Sequence, residues 1–210
     1  MPALFVVATM KLAQKDSNGY FTKIVATIAL AAFVLNITML GRIFNIPPSE
    51  NAFLLWAIFA TLLAYATGAR MLLGLGIILL AAFIGAKSGT WSGMYWLSFG
   101  DRPEHFFLAS VIIFGLSFIP HRYFMDFLPI YRTFGTLLAL LPILVLANWG
   151  YVSYLSFPIE TIENFYQIGG FVLSAMIIFL GVKKGWNDLV NSSTIFFTIF
   201  LWGALYISYM

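Results

Sequence analysis

The chain has 210 residues, of which 61% are hydrophobic and only 9% are charged. A soluble domain carries about 25% charged residues, so this chain has too few charged side chains to cover a globular surface. The composition excludes an ordinary soluble enzyme, a disordered tail and, because cysteine is absent, a disulfide-stapled secreted module. It indicates a polytopic membrane protein.

Apolar runs without any Asp, Glu, Lys, Arg or His follow one another along the chain. They are apolar on every side rather than on one face, which is typical of lipid-embedded helices. A helix needs about 20 residues to cross the hydrocarbon core, so uncharged neighbours must complete the shorter spans. The sequence therefore predicts an all-α transmembrane bundle of about seven spans. The seven runs are residues 24–40, 53–67, 71–86, 107–120, 133–155, 168–182 and 194–210.

The N-terminal residues are predicted to form a separate short region. Residues 1–23 are interpreted as a cytoplasmic segment with an apolar stub, and residues 24–210 as the multi-span domain. The stub is too short to span, and it runs into Lys11 rather than into a small-residue cleavage site of the signal-peptide type. It is interpreted as an interfacial segment or as the end of an upstream helix.

The connections between the runs carry unequal numbers of basic residues. Eight of the eleven Lys and Arg fall on one side and three on the other, and cytoplasmic loops carry the excess. The sequence thus predicts a multi-span membrane protein with a cytoplasmic N-terminus and, after seven spans, an external C-terminus. The basic balance calls for no nucleic acid. The eight are Lys11, Lys15, Lys23, Arg70, Arg122, Arg132, Lys183 and Lys184, and the three are Arg42, Lys87 and Arg102.

Turn residues, a proline and pairs of small residues predict how some of the spans pack together. Only Gly68, Ala69 and Arg70 separate the second and third runs, which predicts a tight antiparallel helical hairpin. Pro142 is expected to kink the fifth span. Small residues four apart predict close helix–helix contacts; these pairs are Ala60/Ala64, Ala81/Gly85 and Gly170/Ser174.

The segment from Leu40 to Arg70 resembles a known family. Its motifs are Gly41, Ile43-Phe44, Leu54-Leu55-Trp56-Ala57, Ala64-Tyr65 and Arg70, and Arg102-Pro103-Glu104 is a further match. They are similar to bacterial predicted inner-membrane proteins grouped as a domain of unknown function, number twenty-one fifty-seven. Leu62 stands where the family usually has proline, and the family's longer N-terminal segment is missing, which suggests a trimmed member. The resemblance implies a multi-span inner-membrane protein and brings no catalytic residues.

The loop of residues 87–105 is the most chemically varied segment. Asp101, Arg102, Glu104 and His105 are a candidate external polar cluster, in which an Arg–carboxylate pair would suit a zwitterionic or anionic headgroup. The favoured interpretation is a hydrated turn at a helix start, where negative charge is stabilised by the dipole. Trp91, Tyr95 and Trp96 are interpreted as an interfacial aromatic belt.

Polar side chains inside the apolar runs form a second candidate site. Asn36, Asn148 and Ser174 are candidates for a solute path, although each amide is expected to hydrogen-bond to a neighbouring helix. No catalytic residue, metal site or cofactor is predicted: His105 and His121 flank one span, too far apart to share a metal. Residues 121–132 are predicted to lie along the cytoplasmic interface, with Arg132 facing anionic lipid.

No ionisable group lies within the runs, and ion-coupled carriers are recognised by such groups at depth. The leading hypothesis is a structural or accessory membrane component, more consistent with a non-enzyme. The alternatives are a small uncharged-solute permease or channel and a membrane enzyme at the external loop. Expected partners are the lipid bilayer and other membrane subunits or further copies of the chain.

Overall fold

The computed structural model describes residues 2–15, 19–46, 49–92, 102–119 and 125–209. These ranges contain eight α-helices, two short 3₁₀ turns and no strand, so the predicted all-α class is confirmed for the described residues. The helices are α1 (Pro2–Lys15), α2 (Tyr20–Ile43), α3 (Asn51–Thr67), α4 (Arg70–Ser92), α5 (His105–Leu116), α6 (Leu128–Asn148), α7 (Ile159–Lys184) and α8 (Asn187–Tyr209). The 3₁₀ turns are Met125–Phe127 and Gly150–Val152.

Within the described ranges, five helices have the length and composition of membrane spans. These five are α2, α4, α6, α7 and α8, whereas α3 has 17 residues and α5 has 12. At 1.5 Å per residue, α5 covers about 18 Å of a hydrocarbon core about 30 Å thick. Each of the seven runs thus overlaps one helix, but length and composition identify five of those helices as spans.

The chain divides into two compact units, Met1–Phe83 (unit 1) and Ile84–Met210 (unit 2). In unit 1, α1 packs against α2. The N-terminal stub is therefore part of a 14-residue helix that continues past Met10 to Lys15. The predicted boundary at residue 23 falls inside α2, because this helix begins at Tyr20 and places Lys23 in its first turn.

The hairpin between α3 and α4 is confirmed. Gly68 ends α3 in the left-handed conformation, with φ 63°, which glycine adopts without steric cost. A Cβ at Gly76 would lie 2.6 Å from Thr61 Oγ1 and 3.3 Å from the Ala57 carbonyl oxygen. The backbones approach this closely only because the residues at the contact are small, and Ala60 and Ala64 are fully buried on the same helix.

In unit 2, α6 packs against α5, α7 and α8, and α7 packs against α8. A hydrophobic core cluster of unit 2 contains Leu140, Ile143, Ala147, Phe196 and Phe200. The Phe200 ring lies over Gly170, where an added Cβ would come within 2.4 Å of the ring. Gly170 thus forms a close contact with α8, and Ser174, four residues further along α7, is fully buried.

The helix ends of unit 2 form two groups. α6 lies antiparallel to α5, because the Ser110 hydroxyl of α5 donates to Gly135 in the first half of α6 and Glu104 meets Ser153 beyond the end of α6. One end therefore gathers the start of α5, the end of α6 and the start of α7. The opposite end gathers the start of α6, the end of α7 and the start of α8. Each group contains one polar cluster.

Candidate functional site

Glu104 holds the start of α5 against the connection between α6 and α7. Its Oε1 accepts hydrogen bonds from the Ser153 hydroxyl at 2.6 Å and from the Tyr154 backbone N–H at 3.0 Å. Hydrogen bonds to a charged acceptor are stronger than neutral ones. The second oxygen, Oε2, is buried and has no hydrogen-bond partner among the described residues.

His105 uses both ring nitrogens, one toward Arg102 and one toward Tyr154 of the same segment. Nδ1 lies 3.0 Å from the Arg102 carbonyl oxygen, and Nε2 lies 2.7 Å from the Tyr154 hydroxyl. Since a carbonyl oxygen only accepts, Nδ1 is the protonated nitrogen, and in the neutral ring Nε2 accepts from the Tyr154 O–H. The two rings also meet edge to face, with centroids 5.2 Å apart.

Arg102 closes this group, called below the Glu104 cluster (Arg102, Glu104, His105, Ser153 and Tyr154). Its guanidinium carbon lies 4.1 Å from the Tyr154 ring centroid, and its backbone has φ 55°. A left-handed conformation costs a non-glycine residue about 1–2 kcal/mol. The carbonyl contact to His105 and the stacking on Tyr154 hold the residue in this conformation.

The connection between α6 and α7 is also held by Glu163 of α7. The Gly150 N–H donates to Glu163 Oε1 at 3.0 Å, and a Cβ at Gly150 would lie 2.9 Å from Glu163 Cγ. Glycine is therefore required for this approach. Tyr166, one turn further along α7, lies close to the Glu104 carboxylate and to the Ser153 side chain.

The structure thus brings three of the four residues of the predicted external cluster together, and Asp101 lies outside the described residues. The partners Ser153, Tyr154 and Glu163 were not singled out from the sequence. Residues 153 and 154 lie inside the fifth apolar run, but α6 ends at Asn148, and the segment that follows turns back toward α5. The aromatic pair Trp149-Tyr151 beside Gly150 was the available signal for a helix end.

A second cluster occupies the opposite end of unit 2. Arg132 Nε and Nη2 donate to the two carboxylate oxygens of Asp188 at 2.8 and 3.1 Å. The guanidinium carbon lies 4.4 Å from the Trp186 ring centroid. This group, the Arg132 cluster (Arg132, Trp186 and Asp188), joins the start of α6 to the start of α8.

The prediction that Arg132 faces anionic lipid is wrong. Its side chain is only 8% exposed, and that of Asp188 is 22% exposed. A guanidinium removed from water needs a partner in good geometry, and the bidentate pair with Asp188 supplies one. Within the predicted interfacial segment, residues 121–124, which include His121 and Arg122, lie outside the described residues, whereas Met125–Phe127 form a 3₁₀ turn and α6 begins at Leu128.

An apolar groove of about 300 Å³ runs between α5, α6 and α7. Its lining includes Phe107 at the start of α5, Ile143 of α6, and Phe165, Tyr166 and Leu173 of α7. Its floor contains Gly169, where an added Cβ would meet no atom within 4 Å. Since Tyr166 lines the groove and also lies close to Glu104, one end of the groove is near the Glu104 cluster.

The structure does not bring Asn148 and Ser174 into one site. Asn148 is exposed, and its amide donates to the Leu144 carbonyl of its own helix at 2.8 Å, so the expected hydrogen bond to a neighbouring helix is wrong for this residue. Ser174 is fully buried and donates to Phe171 in its own helix. Asn148 ends α6, whereas Ser174 lies about 22 Å from the start of α7 at 1.5 Å per residue. Asn36 is half-buried on α2 in unit 1.

Within the described residues, no three His, Asp or Glu side chains are close enough together to hold a metal ion. Tyr95 and Trp96 of the predicted aromatic belt lie outside the described residues, as does the side chain of Trp91. Comparisons of the chain with family models, with curated proteins and with solved structures find no match.

Proposed function

We propose that this chain is a structural or accessory component of a bacterial inner membrane, without catalytic activity of its own. The observation that carries the proposal is the use of its polar side chains. In unit 2, Arg132 is paired with Asp188, and Glu104 and His105 are bonded to residues 153 and 154. These groups tie helix ends together, so they are already engaged with each other.

We further propose that the chain belongs to the family of predicted inner-membrane proteins that the Leu40–Arg70 motifs resemble. We also propose that its N-terminus lies in the cytoplasm. The family membership rests on those motifs, and the orientation is supported by the charged residues of α7 at the two ends of unit 2. The end of unit 2 that contains the Arg132 cluster also carries the exposed Lys183 and Lys184, whereas the other end carries Glu160 and Glu163. The basic end is assigned to the cytoplasm by the positive-inside rule.

Cysteine labelling in intact cells tests this orientation, because the chain contains no native cysteine. Glu160 and Lys184 are exposed residues at opposite ends of α7. A membrane-impermeant maleimide is expected to label E160C in intact cells and to label K184C only after permeabilisation. Labelling of K184C in intact cells would refute the proposed orientation.

Reconstitution in lipid vesicles tests the accessory role against the permease alternative. Vesicles that contain the chain are expected to swell in isotonic glycerol or urea at the rate of protein-free vesicles. Faster swelling that is abolished by Asn148→Leu, and preserved in a control that replaces the exposed Thr198 of α8 by valine, would replace the proposal with a permease.

A further inference from the structure

We propose that the groove between α5, α6 and α7 is a binding site for one membrane phospholipid, with an acyl chain along the groove and the phosphate against Arg102. This inference rests on the proposed placement of the chain in a membrane and adds a ligand to it.

The groove has the shape and chemistry of an acyl-chain site. Its volume of about 300 Å³ is at the lower limit for small-molecule pockets, which start at about 300 Å³. From Phe165 to Leu173 it extends about 12 Å along α7 at 1.5 Å per residue. It opens sideways between Val111 and Phe165, which are 69% and 63% exposed, so a lipid chain can enter from the bilayer without crossing a polar surface.

Gly169 keeps this space open. A Cβ at Gly169 would find no atom within 4 Å, whereas at the next residue, Gly170, it would overlap the Phe200 ring. The two adjacent glycines therefore serve different purposes. Gly170 allows α8 to approach, and Gly169, about 100° further around α7, leaves open space in the lining of the groove.

Arg102 supplies the charge that a phosphate requires at the polar end of the groove. Its side chain is exposed, and among the described residues its guanidinium is stacked on a ring rather than paired with a carboxylate. Stacking on Tyr154 fixes the plane of the guanidinium and leaves its N–H groups available, and this planar fork matches phosphate oxygens. Phe107, which lines the groove, follows His105 by only two residues, so the cation stands at the end where a headgroup would lie.

Native mass spectrometry of the full chain in detergent, with added dioleoyl phosphatidylglycerol, tests the site. The wild-type chain is expected to retain one phospholipid under activation that strips loosely associated lipid. Gly169→Leu is expected to weaken this binding by about tenfold, because its side chain displaces several methylene groups from the groove. Gly169→Ala adds one carbon to open space and is expected to retain the lipid.

A matched control separates the groove from a general effect of leucine. Gly115 of α5 also has open space around its Cβ position but is not part of the groove, so Gly115→Leu is expected to bind as the wild type does. Retention of the lipid by Gly169→Leu, or its equal loss in Gly115→Leu, would overturn the proposal. Circular dichroism of each variant confirms that the helices are intact.

The phosphate contact is tested with a lipid that has the same chains and no phosphate. The wild-type chain is expected to bind dioleoyl phosphatidylglycerol more tightly than dioleoylglycerol. Arg102→Gln is expected to lower the affinity for the phospholipid by about fivefold and to leave the affinity for dioleoylglycerol unchanged. An equal affinity of the wild-type chain for the two lipids would refute the phosphate contact. Loss of lipid binding would leave the orientation and the vesicle-swelling results unchanged, so this proposal can fail while the proposed function stands.

Discussion

The two ends of unit 2 hold helices together by different means. The Arg132 cluster is a bidentate ion pair under a tryptophan ring, with little exposure of either partner. The Glu104 cluster is a half-exposed set of hydrogen bonds in which one carboxylate oxygen serves two donors. On α7, the filled contact with α8 at Gly170 and the groove at Gly169 lie at the same depth. The two ends of unit 2 therefore differ in how far their polar groups are removed from water: the Arg132 end is closed, and the Glu104 end is open.

The strongest test of this difference between the two ends removes the guanidinium of Arg132. Arg132→Gln leaves the Asp188 carboxylate without its partner, and breaking a buried pair costs about 3–5 kcal/mol. Because Asp188 is 22% exposed, we expect a loss at the lower end, about 3 kcal/mol, in the unfolding free energy measured in mixed micelles by circular dichroism. Lys183→Gln, an exposed change at the same end, is expected to cost less than about 0.5 kcal/mol. Equal costs for both variants would show that the ion pair does not stabilise the unit.

The adjacent glycines of α7 provide a second test, on the filled and open flanks of one helix. Gly170→Ala places a methyl group within 2.4–2.7 Å of the Phe200 ring, and overpacking of this kind costs about 1–3 kcal/mol. Gly169→Ala meets open space and gains helix propensity of up to about 1 kcal/mol. We therefore expect the two variants to differ in unfolding free energy by about 2 kcal/mol or more. The same stability in both variants would contradict the packing described for the α7–α8 contact.

A third test removes the Glu104 carboxylate, which is the hydrogen-bond acceptor of the Glu104 cluster. Glu104→Ala eliminates the hydrogen bonds to the Ser153 hydroxyl and the Tyr154 N–H, and a hydrogen bond to a charged group contributes about 1.5–3 kcal/mol. Because the cluster is half-exposed and water replaces part of this interaction, we expect a loss of about 1.5 kcal/mol in the unfolding free energy. Glu160→Ala, an exposed acid of the same charge, serves as the control and is expected to cost about 0.5 kcal/mol. A loss as large as that of Arg132→Gln would remove the distinction between the two ends.

The sequence predicts the helices of this fold well, because hydropathy and turn residues act locally. The run at residues 71–86 becomes α4, and Gly68 ends α3 at the predicted hairpin. Helix ends were harder to predict: the fifth run continues to Leu155, but the helix ends at Asn148. Hydropathy did not detect this end, because Trp149 and Tyr151 are as compatible with a span as with an interfacial turn.

Long-range pairs are the part that the sequence could not supply. Arg132 and Asp188 are 56 residues apart, and neither lies in an apolar run. Arg132 was predicted to face anionic lipid, and nothing in the sequence pattern singled out Asp188 as its partner. The contact between Glu104 and Ser153 is missed for the same reason, although Glu104 itself was a candidate from its place before α5.

A double-mutant cycle on Arg132 and Asp188 tests most directly whether the charged groups of this chain serve internal contacts. The single variants Arg132→Met and Asp188→Leu and the double variant are compared with the wild-type chain by unfolding free energy in mixed micelles. We expect a coupling energy of about 2 kcal/mol, with the double variant more stable than either single variant. Additive effects, with a coupling energy of zero within error, would contradict this role for the pair.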